Sequence, residues 1–193
     1  MNAKADYLGW TGIGVDDYDN DPFAVRRVQE LFKSGRRGSI SRELAAEMWL
    51  DVLSPMRTHI DSSTFASNAY HEFVSATIHD MAAVLRNRVT GNLGYAQKIV
   101  NLFMKDQWAL GRLDERIELE LHVPIDKRIL DQFNRQWEPW MSWTRVALTE
   151  QALCDYFSIQ EYVREHWRWG GVFASPIEME HYWWRGIGPI PKR

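Results

Sequence analysis

The sequence predicts an all-α protein. Apolar residues recur at three- and four-residue spacings along most of the chain, as they do in amphipathic helices, whereas the alternation typical of strands is scarce. Two capping boxes, Ser158-Ile-Gln-Glu161 and Ser175-Pro-Ile-Glu178, indicate the starts of the last helices. No repeat, low-complexity tract or linker interrupts the chain. We therefore expect residues 1–193 to form a single compact multi-helix domain, or two helical lobes flanking a cleft.

The composition narrows the class of protein. A hydrophobic fraction of 45% is that of a globular domain. The single cysteine, Cys154, excludes a disulfide framework within the chain and a cysteine-ligated iron–sulfur cluster, and it fits a reducing compartment. No apolar run is long enough to span a membrane and no signal-peptide pattern is present, so we expect a cytoplasmic protein. The net charge of −3 counts mildly against nucleic-acid binding.

The first half of the chain is expected to contain a loop followed by several helices. Glycines and acidic residues dominate the N-terminal segment up to Asp19, which we expect to be a loop. A phosphate-binding glycine loop is excluded there, because no strand precedes it. The apolar spacing then predicts helices over residues 22–33, 41–53 and 63–89, with a short turn that starts at Ser54-Pro55.

The second half continues the helical pattern. A helix is predicted over residues 95–110, and the charged segment RLDERIELE at 112–120 is expected to be a loop. Further helices are expected over residues 126–137 and 139–156.

A cluster of basic residues lies within one short window near the N-terminus. Two interpretations are open: a patch that faces nucleic-acid phosphates, or an ordinary solvated helix and loop. The window contains Arg26, Arg27, Lys33, Arg36, Arg37 and Arg42.

Lys98 and Asp126 are the candidates for chemistry. Lys98 is expected in the first turn of its helix, where the positive end of the helix and apolar neighbours lower the pKa of an amine. A neutral amine is nucleophilic. Asp126 is expected to cap the next helix and to stay ionised, so that it stabilises positive charge near the amine. The alternative is that Lys98 is solvated and Asp126 only caps a helix.

Lys105 is a second candidate nucleophile. It lies two turns further along the same helix as Lys98 and therefore projects near the same face. Because it lies away from the positive helix end, the local field favours Lys98 as the neutral amine.

The two stretches LGYAQKIVNLFMK and VPIDKRIL resemble the core of the helix-hairpin-helix DNA glycosylase superfamily. In that superfamily a glycine-containing hairpin leads into a helix whose first lysine is catalytic, and an aspartate caps a following helix. The resemblance covers residues 88–138 and is nearest the archaeal 8-oxoguanine DNA glycosylase branch, which carries a second lysine at the position of Lys105 and lacks an iron–sulfur cluster. The glycines here are spaced more widely than in the family's hairpin.

The resemblance implies a mechanism. Lys98 would attack the anomeric carbon of an everted nucleotide, expel the base and form a Schiff base that leads to strand scission, and Asp126 would assist. Main-chain amides of the hairpin would hold the DNA backbone, with a structural monovalent cation. The hairpin residues assigned to this contact are Gly91, Gly94, Tyr95 and Gln97.

Aromatic residues and one histidine are the candidates for holding the base. A glycosylase grips an everted base between aromatic faces and hydrogen-bonds its edge. Trp108, His122, Trp140 and Trp143 are assigned to this pocket, although core packing explains each tryptophan equally simply. The histidines lack the spacing that places two metal ligands on one helical turn, so no catalytic metal and no other cofactor is expected.

The functional expectation is a monomeric DNA glycosylase, with or without AP lyase activity, that acts on double-stranded DNA. The base is either a damaged one such as 8-oxoguanine, removed in repair, or a modified cytosine of phage DNA, removed in antiviral defence. The alternative is a non-catalytic α-helical domain that binds nucleic acid or another protein.

Overall fold

The described part of the chain is all-helical. The computed structural model describes residues 2–14, 16–33, 40–62, 69–131 and 146–186, and no strand occurs among them. The predicted all-α class is therefore confirmed. No helix in the described ranges is both long enough and apolar enough to cross a membrane. The elements are α1 (Ala3–Thr11), α2 (Asp21–Lys33), α3 (Arg42–Met48), a π-helical turn (Trp49–Leu53), α4 (Ser54–Ser62), α5 (Tyr70–Val84), α6 (Asn92–Ala109), α7 (Glu115–Glu120), α8 (Lys127–Asp131), α9 (Glu150–Gly170) and α10 (Pro176–Arg185).

Helix α6 forms the centre of the fold. Nearly all of its residues are buried, and α1, α2 and α5 pack against it. A helix that is buried on all sides must pair its polar side chains internally, because each unpaired buried polar group costs about 1–3 kcal/mol. The lysines, the aspartate and most of the amide side chains of α6 do make such pairs, and these pairs hold the neighbouring elements in place.

The predicted N-terminal loop is wrong for its first part, which is helix α1. Asn2 caps this helix by accepting a hydrogen bond from the amide of Ala5, and Gly12 ends it with φ of 70°. The helix has little amphipathic pattern of its own; long-range contacts stabilise it instead, among them the 2.6 Å ion pair between Lys4 and Glu118 of α7. Tertiary packing of this kind is invisible to a local pattern.

Three other element predictions need correction. The charged segment 112–120 is not all loop: Asp114 caps α7, whose Ile117 is buried. Ser158 lies inside α9, which starts earlier, after its cap at Thr149. Helix α6 begins at Asn92 rather than at Tyr95.

The remaining helix predictions agree with the structure in part: the turn expected at Ser54-Pro55 begins helix α4, and residues 146–149 of the helix expected over 139–156 precede α9. Ser175 caps α10 as expected, accepting from the amide of Glu178, whose carboxylate accepts in turn from the amide of Ala174. Helix α5 ends at Val84, before the expected 89. The predicted helical residues at 63–68 and 132–145 lie outside the described residues.

A buried polar cluster joins the N-terminal helices to α6. The carboxylate of Asp106 accepts from the hydroxyls of Tyr7 (2.7 Å) and Tyr18, and from Nε (2.9 Å) and Nη2 (3.0 Å) of Arg27. Burial opposes the charge on Arg27, but the adjacent carboxylate outweighs it and raises the pKa of the guanidinium. All three partners come from segments N-terminal to α3, so one carboxylate holds α1, the 16–20 turn and α2 on α6.

The same cluster includes Arg27, one of the basic residues that were expected to face phosphates or to be solvated. Arg27 is a half-buried partner of Asp106, so its guanidinium is already paired with a carboxylate rather than exposed as part of a basic surface. Arg26 and Arg42 are exposed, and Arg26 lies 3.3 Å from Glu30 on the same helix. Arg36 and Arg37 lie outside the described residues, as does the side chain of Lys33.

Candidate functional site

The Lys98 amine and the Asp126 carboxylate lie in the wall of one cavity. The amine Nζ is 3.9 Å from Asp126 Oδ2, and the two side chains are 8% and 17% exposed. The cavity has a volume of about 240 Å³ and is enclosed by α1, α2, α6, α10 and the segment that precedes α8. Its other lining residues are Tyr7, Trp10, Thr11, Arg27, Glu30, Leu31, Leu102, Lys105, Pro124, Glu180, His181 and Trp184.

Burial is the main influence on Lys98. Desolvation of the ammonium lowers the pKa of Lys98, and the negative charge of Asp126 opposes this effect. Two causes were expected, the positive helix end and burial among apolar neighbours, and burial is the main one. The helix end contributes less than expected, because α6 begins at Asn92 and Lys98 lies in its second turn, where that field has weakened.

Asp126 divides its two oxygens between a helix and the cavity. Oδ1 accepts from the amides of Arg128 (2.9 Å) and Ile129 (3.2 Å), which is the expected cap of α8. Oδ2 faces Lys98 and also accepts from the indole Nε1 of Trp184 at 3.3 Å. The cap therefore fixes the carboxylate while leaving one oxygen directed at the amine.

Two buried glutamines hold the extended segment that carries Asp126. Gln97 accepts from the amide of Ile125 (3.1 Å) and donates to its carbonyl (2.8 Å). Gln160 of α9 makes the equivalent pair with Val123, at 2.9 and 2.8 Å. Because Gln97 precedes Lys98 and Ile125 precedes Asp126 in the sequence, this hydrogen-bonded pair sets the spacing between the two candidate catalytic groups.

Gln97→Met is expected to lower the free energy of unfolding by about 1–3 kcal/mol, because it leaves the amide and carbonyl of Ile125 buried without a partner. Urea denaturation measures the loss. Gln107→Met is the matched control: Gln107 is also a buried glutamine of α6, but its Nε2 has no hydrogen-bond partner among the described residues, so its removal should cost little. Equal losses from the two variants would contradict the role of Gln97.

An aromatic pair forms one wall of the cavity. The rings of Trp10 and Trp184 lie 4.8 Å apart between centroids, and the guanidinium of Arg128 lies 4.6 Å from the Trp184 ring on α10. Trp10 is 51% exposed, so it reaches from the cavity to the protein surface. A flat ligand could therefore stack on aromatic side chains at the entrance and meet polar groups deeper in the cavity.

The residues expected to hold a DNA backbone are engaged elsewhere. Residues 92–97 are the first turns of α6, and the turn that joins α5 to α6 lies before them, at 85–91. The amide of Gly94 donates to the carbonyl of Val146 (3.2 Å), and Gly91 adopts a φ of 82° before the helix. Tyr95 stacks on Phe32 at 4.7 Å between ring centroids. Gln97 is fully buried in the pair described above and offers no surface to a phosphate.

The two expected base-pocket residues that the structure describes, Trp108 and His122, do not line this cavity. Trp108 is buried, and the Lys4 amine lies 5.6 Å from its ring centroid. His122 is buried; its Nδ1 pairs with the hydroxyl of Tyr156 (2.8 Å) and its Nε2 with His71 (2.9 Å). Both side chains make contacts within the protein, and their assignment to a base pocket stays a prediction. Trp140 and Trp143 lie outside the described residues.

The cavity residues that the sequence did not indicate come mainly from the two chain ends. Tyr7 and Trp10 lie on α1, which was expected to be loop, and Glu180, His181 and Trp184 lie on α10. One signal was available, since Glu180 and Trp184 are four residues apart and so share a helix face. Lys105, the rival nucleophile, lines the cavity but forms a buried ion pair with Glu180.

Two observations complete the description of the site. Within the described ranges, no group of three or more histidine, cysteine, aspartate or glutamate side chains is arranged to hold a metal ion. Comparisons of the chain with protein-family models, curated proteins and solved structures returned no significant match.

Proposed function

We propose that this protein is a DNA glycosylase with AP lyase activity, in which Lys98 is the nucleophile and Asp126 its carboxylate partner. The observation that carries the proposal is the 3.9 Å approach of a desolvated amine and a fixed carboxylate in the wall of one cavity. Burial lowers the pKa of Lys98, which raises the fraction of neutral amine available to attack carbon.

The proposed reaction uses each group once. The lone pair of Lys98 Nζ attacks C1′ of an everted nucleotide, and a new C–N bond forms as the bond to the base breaks. The bonding pair leaves with the base, which takes up a proton, and the new ammonium loses one. The carboxylate of Asp126 stabilises the positive charge that develops on the sugar. The C1′–O4′ bond then breaks as the C1′–N bond becomes a Schiff base, and O4′ takes up a proton. Loss of a proton from C2′ forms a C2′–C3′ double bond, and the 3′ phosphate leaves with the electron pair of the C3′–O bond, which breaks the strand.

The cavity suits an everted nucleobase in size and in chemistry. Its volume of about 240 Å³ lies just below the range of about 300–1,000 Å³ for pockets that take drug-sized ligands, so a single base fits better than a large cofactor. Trp10, Trp184 and Leu31 supply apolar faces against which a base can stack, and charged groups lie deeper. The proposed partner is double-stranded DNA that carries a damaged base such as 8-oxoguanine or a modified cytosine.

Trapping with borohydride tests the proposal directly. Wild-type protein is mixed with duplex DNA that contains one abasic site, and borohydride reduces any Schiff base to a stable adduct. We expect an adduct of one protein with one strand, and peptide mass spectrometry should locate the deoxyribose remnant on Lys98. The same duplex with an unmodified base is the matched control and should give no adduct.

The remaining outcomes separate the alternatives. An adduct on Lys105 would contradict the assignment of the nucleophile. Release of 8-oxoguanine or of a modified cytosine without any adduct would indicate a monofunctional enzyme that uses Asp126 and water. Binding of DNA with neither adduct nor base release would overturn the enzymatic proposal in favour of a non-catalytic DNA-binding domain.

A further inference from the structure

A second buried ion pair lines the same cavity as Lys98 and Asp126. Lys105 and Glu180 are in direct contact, and each side chain is 3% exposed. The Lys105 amine also lies 5.0 Å from the centroid of the Tyr7 ring, which holds it from a second side. Four charged side chains from α6, α10 and the cap of α8 therefore share one enclosure of about 240 Å³.

The arrangement of the four charges matters because the cavity is poorly solvated. Charges interact several-fold more strongly there than in water, and a buried carboxylate requires a cation. Lys105 supplies that cation to Glu180. Glu180 lies one helical turn before Trp184, whose indole holds Asp126, so Glu180 faces the same region as the Lys98 amine. Without Lys105, the nearest remaining lysine in the cavity would be Lys98.

We propose that Lys105 and Glu180 are positioning residues: their mutual ion pair prevents Glu180 from pairing with Lys98 and so sets the pH at which the Lys98 amine becomes nucleophilic. The consequence of this ion pair for catalysis rests on the proposed function, but the effect of the pair on the Lys98 amine does not. The role differs from that of Asp126, which lies beside Lys98 in the native state.

The electrostatics of the individual groups agree with this assignment. Burial lowers the pKa of Lys98, while Asp126 and then Glu180 act to raise it and Arg128 to lower it. Burial raises the pKa of Glu180, and Lys105 opposes that effect more strongly than Lys98 does.

The other charged or titratable groups around the cavity have partners of their own. Asp106 and Glu30 pair with Arg27, and Asp6 lies 2.8 Å from Nε2 of His181. The hydroxyl of Tyr7 donates to Asp106. Asp126, Glu180 and Arg128 act electrostatically on Lys98, and Lys105 lines the same cavity through its ion pair with Glu180.

Removal of the charge on Lys105 and removal of the charge on Glu180 are expected to shift the pH midpoint of Lys98 deprotonation in opposite directions. In Lys105→Met, Glu180 loses its cation and stabilises the ammonium of Lys98, so the midpoint rises by on the order of one pH unit. In Glu180→Gln, the carboxylate that acts to raise the pKa of Lys98 is lost while Lys105 keeps its charge in the same cavity, so the midpoint falls by a similar amount. Lys105→Arg keeps the pair and should retain the wild-type midpoint.

The midpoint can be measured without DNA. Formaldehyde and cyanoborohydride methylate neutral amines, so the rate of methylation of the peptide that contains Lys98 follows its deprotonation as pH rises. Lys127, which is exposed on α8, serves as the reference lysine in the same digest. Borohydride trapping on abasic DNA over the same pH range provides the catalytic counterpart.

One variant guards against failure to fold. Each single charge removal leaves a buried charge unpaired, but Lys105→Glu combined with Glu180→Lys retains an ion pair. This exchange places a cation at position 180, where the wild-type carboxylate acts on Lys98. The midpoint of Lys98 deprotonation should therefore fall below that of the wild type. Circular dichroism confirms that each variant is folded before its titration is used.

The outcomes distinguish the two proposals. The positioning role would be overturned if Lys105→Met and Glu180→Gln shift the methylation midpoint of Lys98 in the same direction. It would also be overturned if neither variant, or the exchanged pair, shifts that midpoint. Opposite methylation shifts in a protein that forms no adduct would support the positioning role and overturn the lyase proposal. An adduct on Lys98, together with unchanged methylation midpoints in the variants, would support the lyase proposal and overturn the positioning role.

Discussion

Lys98→Ala is expected to form no borohydride-trapped adduct with abasic-site DNA, and Asp126→Asn to form the adduct about 10²- to 10⁴-fold more slowly than the wild type. The alanine variant lacks the only atom proposed to bond to the sugar. The asparagine variant keeps the shape of Asp126 and can still cap α8, but it removes the negative charge that lies 3.9 Å from the amine. Single-turnover trapping rates at saturating protein measure both effects.

The surface of α8 provides a matched control for these two variants. Lys127 and Asp131 form a lysine–aspartate pair at 2.7 Å, but both side chains are largely exposed and neither lines the cavity. Lys127→Ala and Asp131→Asn should therefore trap DNA at close to the wild-type rate. A Lys98→Ala protein that still forms the adduct would contradict the assignment of Lys98, and an Asp126→Asn protein with the wild-type rate would reduce Asp126 to a helix cap.

The parts of the site that the sequence predicted are those that depend on short-range rules. An aspartate before a helix start accepts hydrogen bonds from the next amides, and Asp126 does so regardless of the rest of the fold. Lys98 was assigned to an apolar helix because its neighbours are apolar, and the same neighbours bury it. Local pattern therefore sufficed to identify the two groups that meet.

The walls of the cavity were not predictable in the same way, because they depend on pairs distant in sequence. Arg27 looked like part of an exposed basic window, and its partner Asp106, which holds it in a half-buried ion pair, lies 79 residues away. Gln97 was assigned to the DNA-backbone contact, yet its amide group completes the hydrogen bonding of an extended segment. A single sequence does not reveal which distant partner satisfies a polar side chain.

Asp106→Ala is expected to lower the free energy of unfolding by about 3–5 kcal/mol, the loss typical when one partner of a buried ion pair is removed. The substitution leaves the guanidinium of Arg27 and the hydroxyls of Tyr7 and Tyr18 without their shared acceptor. Burial, which the substitution does not remove, is the main reason why the pKa of each tyrosine lies well above its ordinary value, so neither replaces the lost anion near neutral pH. Urea denaturation, with the slope checked for two-state behaviour, measures the loss.

Two further variants show whether the loss comes from the buried cluster itself. Asp131→Ala removes an aspartate from an exposed ion pair and should cost less than about 1 kcal/mol. Asp106→Leu combined with Arg27→Met removes both charges, and it should be less destabilising than Asp106→Ala because no unpaired ion remains. Because α1 and α2 carry Tyr7, Trp10 and Leu31 into the cavity, Asp106→Ala should also slow trapping by Lys98 at denaturant concentrations where the protein is still folded. If Asp106→Ala costs no more than Asp131→Ala, contacts other than this carboxylate hold the N-terminal helices against the site.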